Sequence, residues 1–520
     1  MRRVFLSLFI TLIVFGSGCN AVTPTPVPTL TPTSPLMATP TPFPTPTSMP
    51  IAEPMDPTAY YEEAMIPAAR GDLLTLDDPP HYDIALNIDM EELTIVGEEK
   101  VTYTNNEDVV LEEVCFRLFP NAREVFDGRG LEVSAVMVNG QEVQPSFELD
   151  DTVMRVSLPE FLPPEGRIEI SMDFVATIPQ DPVDRANYGI YNYAEGVIAL
   201  ANCYPILAVY DDEGWNLDPV INLGDAVYSD TALYTVSITA PEEAVIVASG
   251  SEIKTVLNDD GTKTAFYRSG PMRDFFIALS KEFEVMRERV GDTTVNSYYL
   301  SNHRSGGEKA LQFAVNSLRF YNQHFGTYPF SELDVVEVPL GVSGVEYPGL
   351  ILIDDRFYVG EGEGSFELVV AHEVAHQWWY SVVGNDVIDE PWLDEALVTY
   401  SSLLYMESAH GEHYADGMRS YFQERCQKLV EEERDAPVAQ PVYSFEGWEQ
   451  YGTIVYLKGA LFFDALREEV GDEVYFEIMR RYYEEYKYDI ATPNDLMRIA
   501  EEVSGKDLDE LYRRWILTAE

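Results

Sequence analysis

Cysteine is scarce in this 520-residue chain: there are 4, of which only Cys115, Cys203 and Cys426 lie beyond residue 19. Three widely spaced thiols exclude a disulfide framework, so the core must be held by burial; spacing alone does not decide whether Cys115 and Cys203 pair. Basic residues are also few, 34 Lys and Arg against 89 Asp and Glu, for a net charge of -55. That balance excludes a nucleic-acid partner, because phosphate binding needs a basic surface. The excess acid solvates the surface, and its field would draw cationic groups such as peptide N-termini. Histidine is rarer still, with 7 in the chain. Any regular spacing of His therefore carries weight.

What is present begins with Arg2 and Arg3 followed by the apolar run 4–15, too short to span a bilayer comfortably and matching the core of an export signal. Gly16-Ser17-Gly18-Cys19 resembles a bacterial lipobox, which implies lipidation at Cys19 and a membrane anchor on the outer side of the cytoplasmic membrane or at the cell surface; ordinary cleavage near Ala21 is the alternative. Residues 20–78 read as stalk and linker, with a Thr/Pro repeat over 23–50 that cannot form a core and would reach about 90 Å as polyproline II. About 440 residues follow, ample for two domains. Over 79–280 the pattern has period two: Ile84, Leu86, Ile88 and Met90 alternate with Asp83, Ala85, Asn87 and Asp89, and similar alternation recurs at Val114-Phe116-Leu118 and Tyr234-Val236-Ile238. With turn signals at Asn105-Asn106, Asn139-Gly140 and Asp259-Asp260-Gly261, this predicts an antiparallel β domain.

From 281 to 520 the pattern turns mainly helical. Residues 308–325 place Leu311, Ala314, Val315, Leu318, Tyr321 and Phe325 on one helical face before Gly326. Residues 333–338 and 350–353 are strand candidates around Gly341-Val342-Ser343-Gly344-Val345-Glu346-Tyr347, whose small residues predict an edge to which a peptide backbone can add.

The decisive stretch is 371–400. His372 and His376 are four residues apart, so on a helix both imidazoles leave one face and can meet a single metal ion, with Glu373 between them. At this His content the number of such matches expected by chance is about 0.01. The surrounding Val369, Val370, Val374, Ala375, Trp378 and Trp379 place the helix in a core, where unpaired His and Glu are costly and a metal would satisfy them. Two His leave tetrahedral zinc short of one protein ligand, and Asp389-Glu390-Pro391-Trp392 opens a second helix carrying Glu395 one turn in.

A Glu ligand 19 positions after the second His is the gluzincin arrangement, and this interval resembles the aminopeptidase N family. The resemblance covers about 80–520 and includes HYDIALNID and DTALYTVSITAPEEAVIVASG. It implies a multidomain α+β fold: a saddle-shaped antiparallel β domain, then a thermolysin-like, mainly helical zinc metallopeptidase domain with a small sheet. It implies one zinc ion per chain on His372, His376 and Glu395, with Glu373 as general base. Ser343-Gly344-Val345-Glu346-Tyr347 falls where the family has G-x-M-E-N, so the resemblance places Glu346, Gly344 and Val345 against the substrate, with Glu346 on its free amine. Tyr456-Leu457-Lys458-Gly459 is similar to the family's Tyr-x-Lys-Gly segment, which implies that Tyr456 stabilises the oxyanion, with Tyr451 the alternative. Family members also hold the amine with a Gln of the β domain; GVIALANCYP, ending at Tyr204-Pro205, has none. Larger members continue past the point matching Glu520 with a helical-repeat domain, which implies a cleft here open to longer peptides. The function implied is a zinc aminopeptidase acting on peptides. An endopeptidase on the same scaffold and a catalytically silent surface-binding lipoprotein are the alternatives.

Overall fold

The computed structural model describes residues 60–126, 130–180 and 188–519. The residues read from sequence as an export signal, Cys19 and the Thr/Pro repeat fall outside them. Residues 60–78, read from sequence as the end of a linker, are packed against the body: Tyr61, Met65, Ile66 and Leu73 are buried, and the Ile66 amide donates to the Pro329 carbonyl at 2.9 Å. The apolar side chains of this segment explain the difference, since the Thr/Pro composition has ended before it. Among the described residues no helix is long and apolar enough to cross a membrane.

The first body is β. Strand His81–Asp89 buries Tyr82, Ile84, Leu86 and Ile88 and exposes the alternate residues more, as its period requires. It lies near the middle of an eight-stranded sheet, paired antiparallel with Thr94–Thr104 and parallel with Leu233–Pro241. Two four-stranded sheets, one containing Val197–Leu200 and Ile277–Ser280, the other Leu111–Arg117 and Val153–Leu162, and a two-stranded ribbon of Tyr210–Asp211 with Gly214–Trp215 also belong to this body. Gly97 is required in Thr94–Thr104, because a Cβ there would lie 2.2 Å from the Phe174 ring. Cys115, Cys203 and Cys426 are free thiols.

The second body starts with Phe283–Val290, the first strand of a five-stranded sheet that continues through Thr293–Leu300, Glu332–Val338 and Leu350–Asp354 to the edge strand Gly344–Val345. Helix Arg304–His324 packs on this sheet, starting four residues before the apolar pattern does; Gly306 and Gly307 let it approach Tyr358 and Tyr299. Behind it lie helices Glu363–Ala375 and Trp392–His410, the latter buried from Trp392 through Met406.

Three fully buried tryptophans fix these two helices. Trp378 donates to the Gly326 carbonyl at 3.0 Å, Trp379 donates to Ser401 Oγ at 3.1 Å, and Trp392 packs on Phe462 and Phe463. Truncating any of them to Ala costs about 3–5 kcal/mol. The two bodies are bolted together where helix Glu363–Ala375 ends. Tyr380 has φ 104, rare for a bulky residue, and is held there from the β body: its carbonyl accepts from Arg273 Nε at 2.8 Å and its hydroxyl donates to Asp274 Oδ2 at 2.8 Å. Arg273 also donates to the carbonyls of Ser229 and Asp489, so one guanidinium ties three segments.

Candidate metal centre and peptide cleft

His372 and His376 leave helix Glu363–Ala375 and its C-cap on one face, with ring centroids 5.0 Å apart. Glu395, in the first turn of Trp392–His410, brings Oε2 to 3.3 Å from His372 Nε2 and 3.6 Å from His376 Nε2. That oxygen is buried and has no hydrogen-bond partner. An orphaned carboxylate oxygen facing two imidazole nitrogens is costly unless a cation joins them. Burial pushes both imidazoles below their usual range, His372 strongly, so both stay neutral with lone pairs available. The trio fits one divalent ion.

His376 has a further partner. Consecutive helical positions differ by about 100°, so Asp394 points past Glu395 and sets Oδ1 2.7 Å from His376 Nδ1. The Trp379 carbonyl lies 3.3 Å from the same nitrogen. The Trp379 contact fixes the tautomer that leaves Nε2 free for metal, while the Asp394 oxygens, close to the ring, have no hydrogen-bond partner.

Glu373, 5% exposed, shares the cavity, its carboxyl pushed well up by burial and then by Glu395, Asp225 and Asp394. The edge strand passes directly over it: a Cβ on Gly344 would lie 2.5 Å from Glu373 Oε1. Gly344 and Val345 pair with Ile353 and Leu352, which leaves the other edge open. Glu346 follows, largely buried, with carboxylate oxygens within 4.8 Å of ligand atoms of Glu373 and His376. The strand is tied to the metal helix by Gln377, which accepts from the Gly349 amide at 2.9 Å and donates to the Tyr347 carbonyl at 3.1 Å. Tyr347 stacks on Phe276 of the β body, centroids 4.5 Å apart.

Tyr456 stands on a π-helical segment, Gly452–Lys458. Such segments recur at functional sites because the wider turn re-aims a side chain. Its hydroxyl hydrogen-bonds Glu395 Oε1, and its ring lies nearly parallel to that of His372, 6.1 Å away. Lys458 anchors the segment through Asp435 at 2.9 Å.

All the described residues that sequence reasoning singled out, His372, His376, Glu395, Glu373, Tyr456, Glu346, Gly344 and Val345, line this one cavity. Cys19 lies outside the described residues. Sequence reasoning missed Asp394, Gln377 and Asp225. Asp225 comes from the β body, and its carboxyl, pushed up to about 7 chiefly by burial and then by Glu395, lies beside that of Glu346. Asp225, Glu346 and Asp394 hold carboxylate oxygens within 4.8 Å of one another. Tyr188, whose hydroxyl donates to the Gly224 carbonyl at 2.8 Å, steadies the loop.

The profile of the Peptidase family M1 domain matches residues 309–515. Aminopeptidase 2 of Candida albicans is 22% identical over 469 residues, covering 87% of this chain and 48% of that protein. Aminopeptidase M1-C of rice is 28% identical over 271 residues, covering 49% and 30%. Probable aminopeptidase 2 of Sulfurisphaera tokodaii is 24% identical over 452 residues, covering 84% and 53%. The chain thus spans about half the length, or less, of these curated relatives. A crystal structure of an M1 zinc metallopeptidase from Deinococcus radiodurans superposes with a TM-score of 0.65 at 22% identity, covering 85% of this chain and 94% of that one. The shared fold is a β-rich first domain followed by a mainly helical one.

Proposed function

This chain belongs to the peptidase M1 family, and from that premise we propose that it is a zinc-dependent aminopeptidase that removes N-terminal residues from peptides. The observation that carries the reading is the meeting, in one cavity, of three metal-ligating side chains, the buried acid Glu373 and an acidic pair beside an open strand edge. His372, His376 and Glu395 would hold one zinc ion, which when bound supplies a Lewis acid that polarises the scissile carbonyl and acidifies water.

The chain's own residues do the rest. A peptide adds to the open edge of Gly344–Val345, and the Glu346 and Asp225 carboxyls receive its ammonium group; Asp225 thereby supplies from the β body what GVIALANCYP lacks. Glu373, opposite Gly344, takes the proton of the attacking water and returns it to the leaving amine. Tyr456, whose hydroxyl bonds Glu395 Oε1, turns that hydrogen to the carbonyl oxygen as the latter becomes negative. Export and lipidation at Cys19 belong to the same reading and are supported by residues 1–19 alone.

The test is hydrolysis of free-amine and N-acetylated copies of the same peptides, before and after chelation and with zinc restored. Loss on chelation and restriction to free amines are expected. Internal cleavage of the blocked peptides would make the protein an endopeptidase, and inactivity of a zinc-loaded sample on every peptide would make it a silent binder.

A further inference from the structure

We propose that Lys458 and Gln450 are positioning residues: they clamp the helix beneath Tyr456 in its wide turn, and the hydroxyl meets the reacting carbonyl only while both clamps are closed. The proposal rests on the aminopeptidase reading above and deepens it.

The wide turn interrupts a helix that is otherwise continuous. Gly452–Lys458 lies between the α-helical stretches Trp448–Tyr451 and Gly459–Val470, and the Gly459 amide bonds the Ile454 carbonyl, five positions back. An unbroken α-helix is the ordinary state of such a run, so contacts from outside it hold the turn open. Relaxation to α-helix would take one residue out of the turn and rotate Tyr456 by about 100° against one end of the helix. The hydroxyl, now on Glu395 Oε1, and the ring, now parallel to His372, would swing away from the metal ligands.

Both ends of the segment are fastened to the same stretch, 434–439. Gln450, just before it, donates from Nε2 to the Arg434 carbonyl at 2.8 Å and accepts from the Glu446 amide at 2.8 Å. Lys458, its last residue, donates to Asp435 Oδ1 at 3.0 Å, Asp435 Oδ2 at 2.9 Å and the Ala436 carbonyl at 3.1 Å, with the Thr518 carbonyl 3.4 Å away. Two positions far apart on the helix thus grip groups that adjoin in the stretch, which sets the length of helix between them. Gln450 and Lys458 are 6% and 7% exposed, so water does not replace these bonds when they open. The stretch is itself pinned from behind, where the Val438 and Ala439 amides both donate to the Ile516 carbonyl, at 2.9 and 3.1 Å. Gly459 presses the helix against the helix of Glu395: a Cβ on it would lie 2.5 Å from Ala396 Cβ. That contact fixes separation, and the two clamps fix rotation.

The experiment measures kcat and KM of the zinc-loaded variant Lys458→Met/Asp435→Leu, with Tyr456 intact and again in a Tyr456→Phe background. Replacing both partners of a buried ion pair by apolar side chains preserves the fold, whereas removing one leaves an unpaired charge. With Tyr456 intact, kcat is expected to fall about 100-fold, the same loss as Tyr456→Phe alone, with KM changed by less than about twofold and zinc still bound. In the Tyr456→Phe background the further loss should be less than about twofold, because the hydroxyl that the clamp aims is gone. Gln450→Met, which alters no charge, should show the same pattern with a loss of about tenfold, and it carries the test alone if the paired substitution does not fold. An unchanged kcat, or equal losses with and without the Tyr456 hydroxyl, overturns the inference and leaves the function standing; equal losses would make the clamp a general support. Failure of the native zinc-loaded protein to release N-terminal residues from any peptide is the separate failure of the aminopeptidase reading.

Discussion

Asp394 Oδ1 lies 2.7 Å from His376 Nδ1, both groups buried, on the side of the imidazole opposite Glu395. Adjacent residues of one helix thus grip the same ring from two sides. Asp394→Asn keeps the volume but removes the negative charge beside the ring, and metal affinity should fall about 10- to 100-fold. Competition with a graded chelator series measures it; unchanged affinity would show that Asp394 only fills space.

Glu373→Gln should bind one zinc per chain as the native protein does, because Glu373 is not among the converging ligands, yet lose turnover by about 100-fold or more. Metal analysis and peptide hydrolysis on one sample separate these two properties. Retained turnover would remove Glu373 from proton transfer.

Tyr456→Phe removes the hydroxyl and its bond to Glu395 Oε1, while the ring keeps its place beside His372. kcat should drop about 100-fold, or about 3 kcal/mol, with KM nearly unchanged. A rise in KM at constant kcat would instead mean that Tyr456 binds the substrate in its ground state.

Glu346→Gln and Asp225→Asn should each reduce kcat/KM for free-amine peptides by about 10- to 100-fold, the worth of a charge-assisted hydrogen bond. In the double variant the losses should fall short of the sum, because both carboxyls address one ammonium group. Strict additivity of the two effects would place them in separate roles.

Burial pushes the Asp274 carboxyl from 3.8 up to about 6 despite the opposing donation from the Tyr380 hydroxyl. Since the folded state holds this proton to higher pH than the unfolded chain does, its contribution to stability is full below about pH 4 and is lost as pH rises through about 6. The gap corresponds to about 3 kcal/mol. Asp274→Asn cannot titrate and still accepts from Tyr380, so between pH 4 and pH 7 it should gain on the native chain by up to about 3 kcal/mol in urea denaturation. Parallel pH profiles for the two proteins would show that Asp274 is not the group responsible.

How much of this was legible in the sequence depended on how local each signal was. His372, Glu373, His376 and Glu395 lie within one short window, where helical geometry alone brings the two imidazoles together and an opening turn places the carboxylate. The small residues around Gly344 announced a close backbone approach, which the Glu373 contact makes literal. Asp394 carried no mark of its own, because its use depends on which way helix Trp392–His410 is rotated against its neighbour. Asp225 meets Glu346 across 121 positions, from a loop without periodicity, so only the docking of the two bodies reveals it. The π-helical turn under Tyr456 likewise has no sequence pattern; the residue was found by resemblance, and its aim could not be. Residues 60–78 follow a repeat that cannot form a core, yet pack on the body through Tyr61, Met65, Ile66 and Leu73.

The seam between the bodies sets more than stability. Arg273 and Asp274 hold the turn after the metal helix, while Asp225 reaches Glu346 from the same side of the divide. Small changes in the apolar residues along that seam would slide one acid past the other without disturbing a single metal ligand. Natural variation thus has a route to new peptide preferences in which the hydrolytic chemistry is inherited intact.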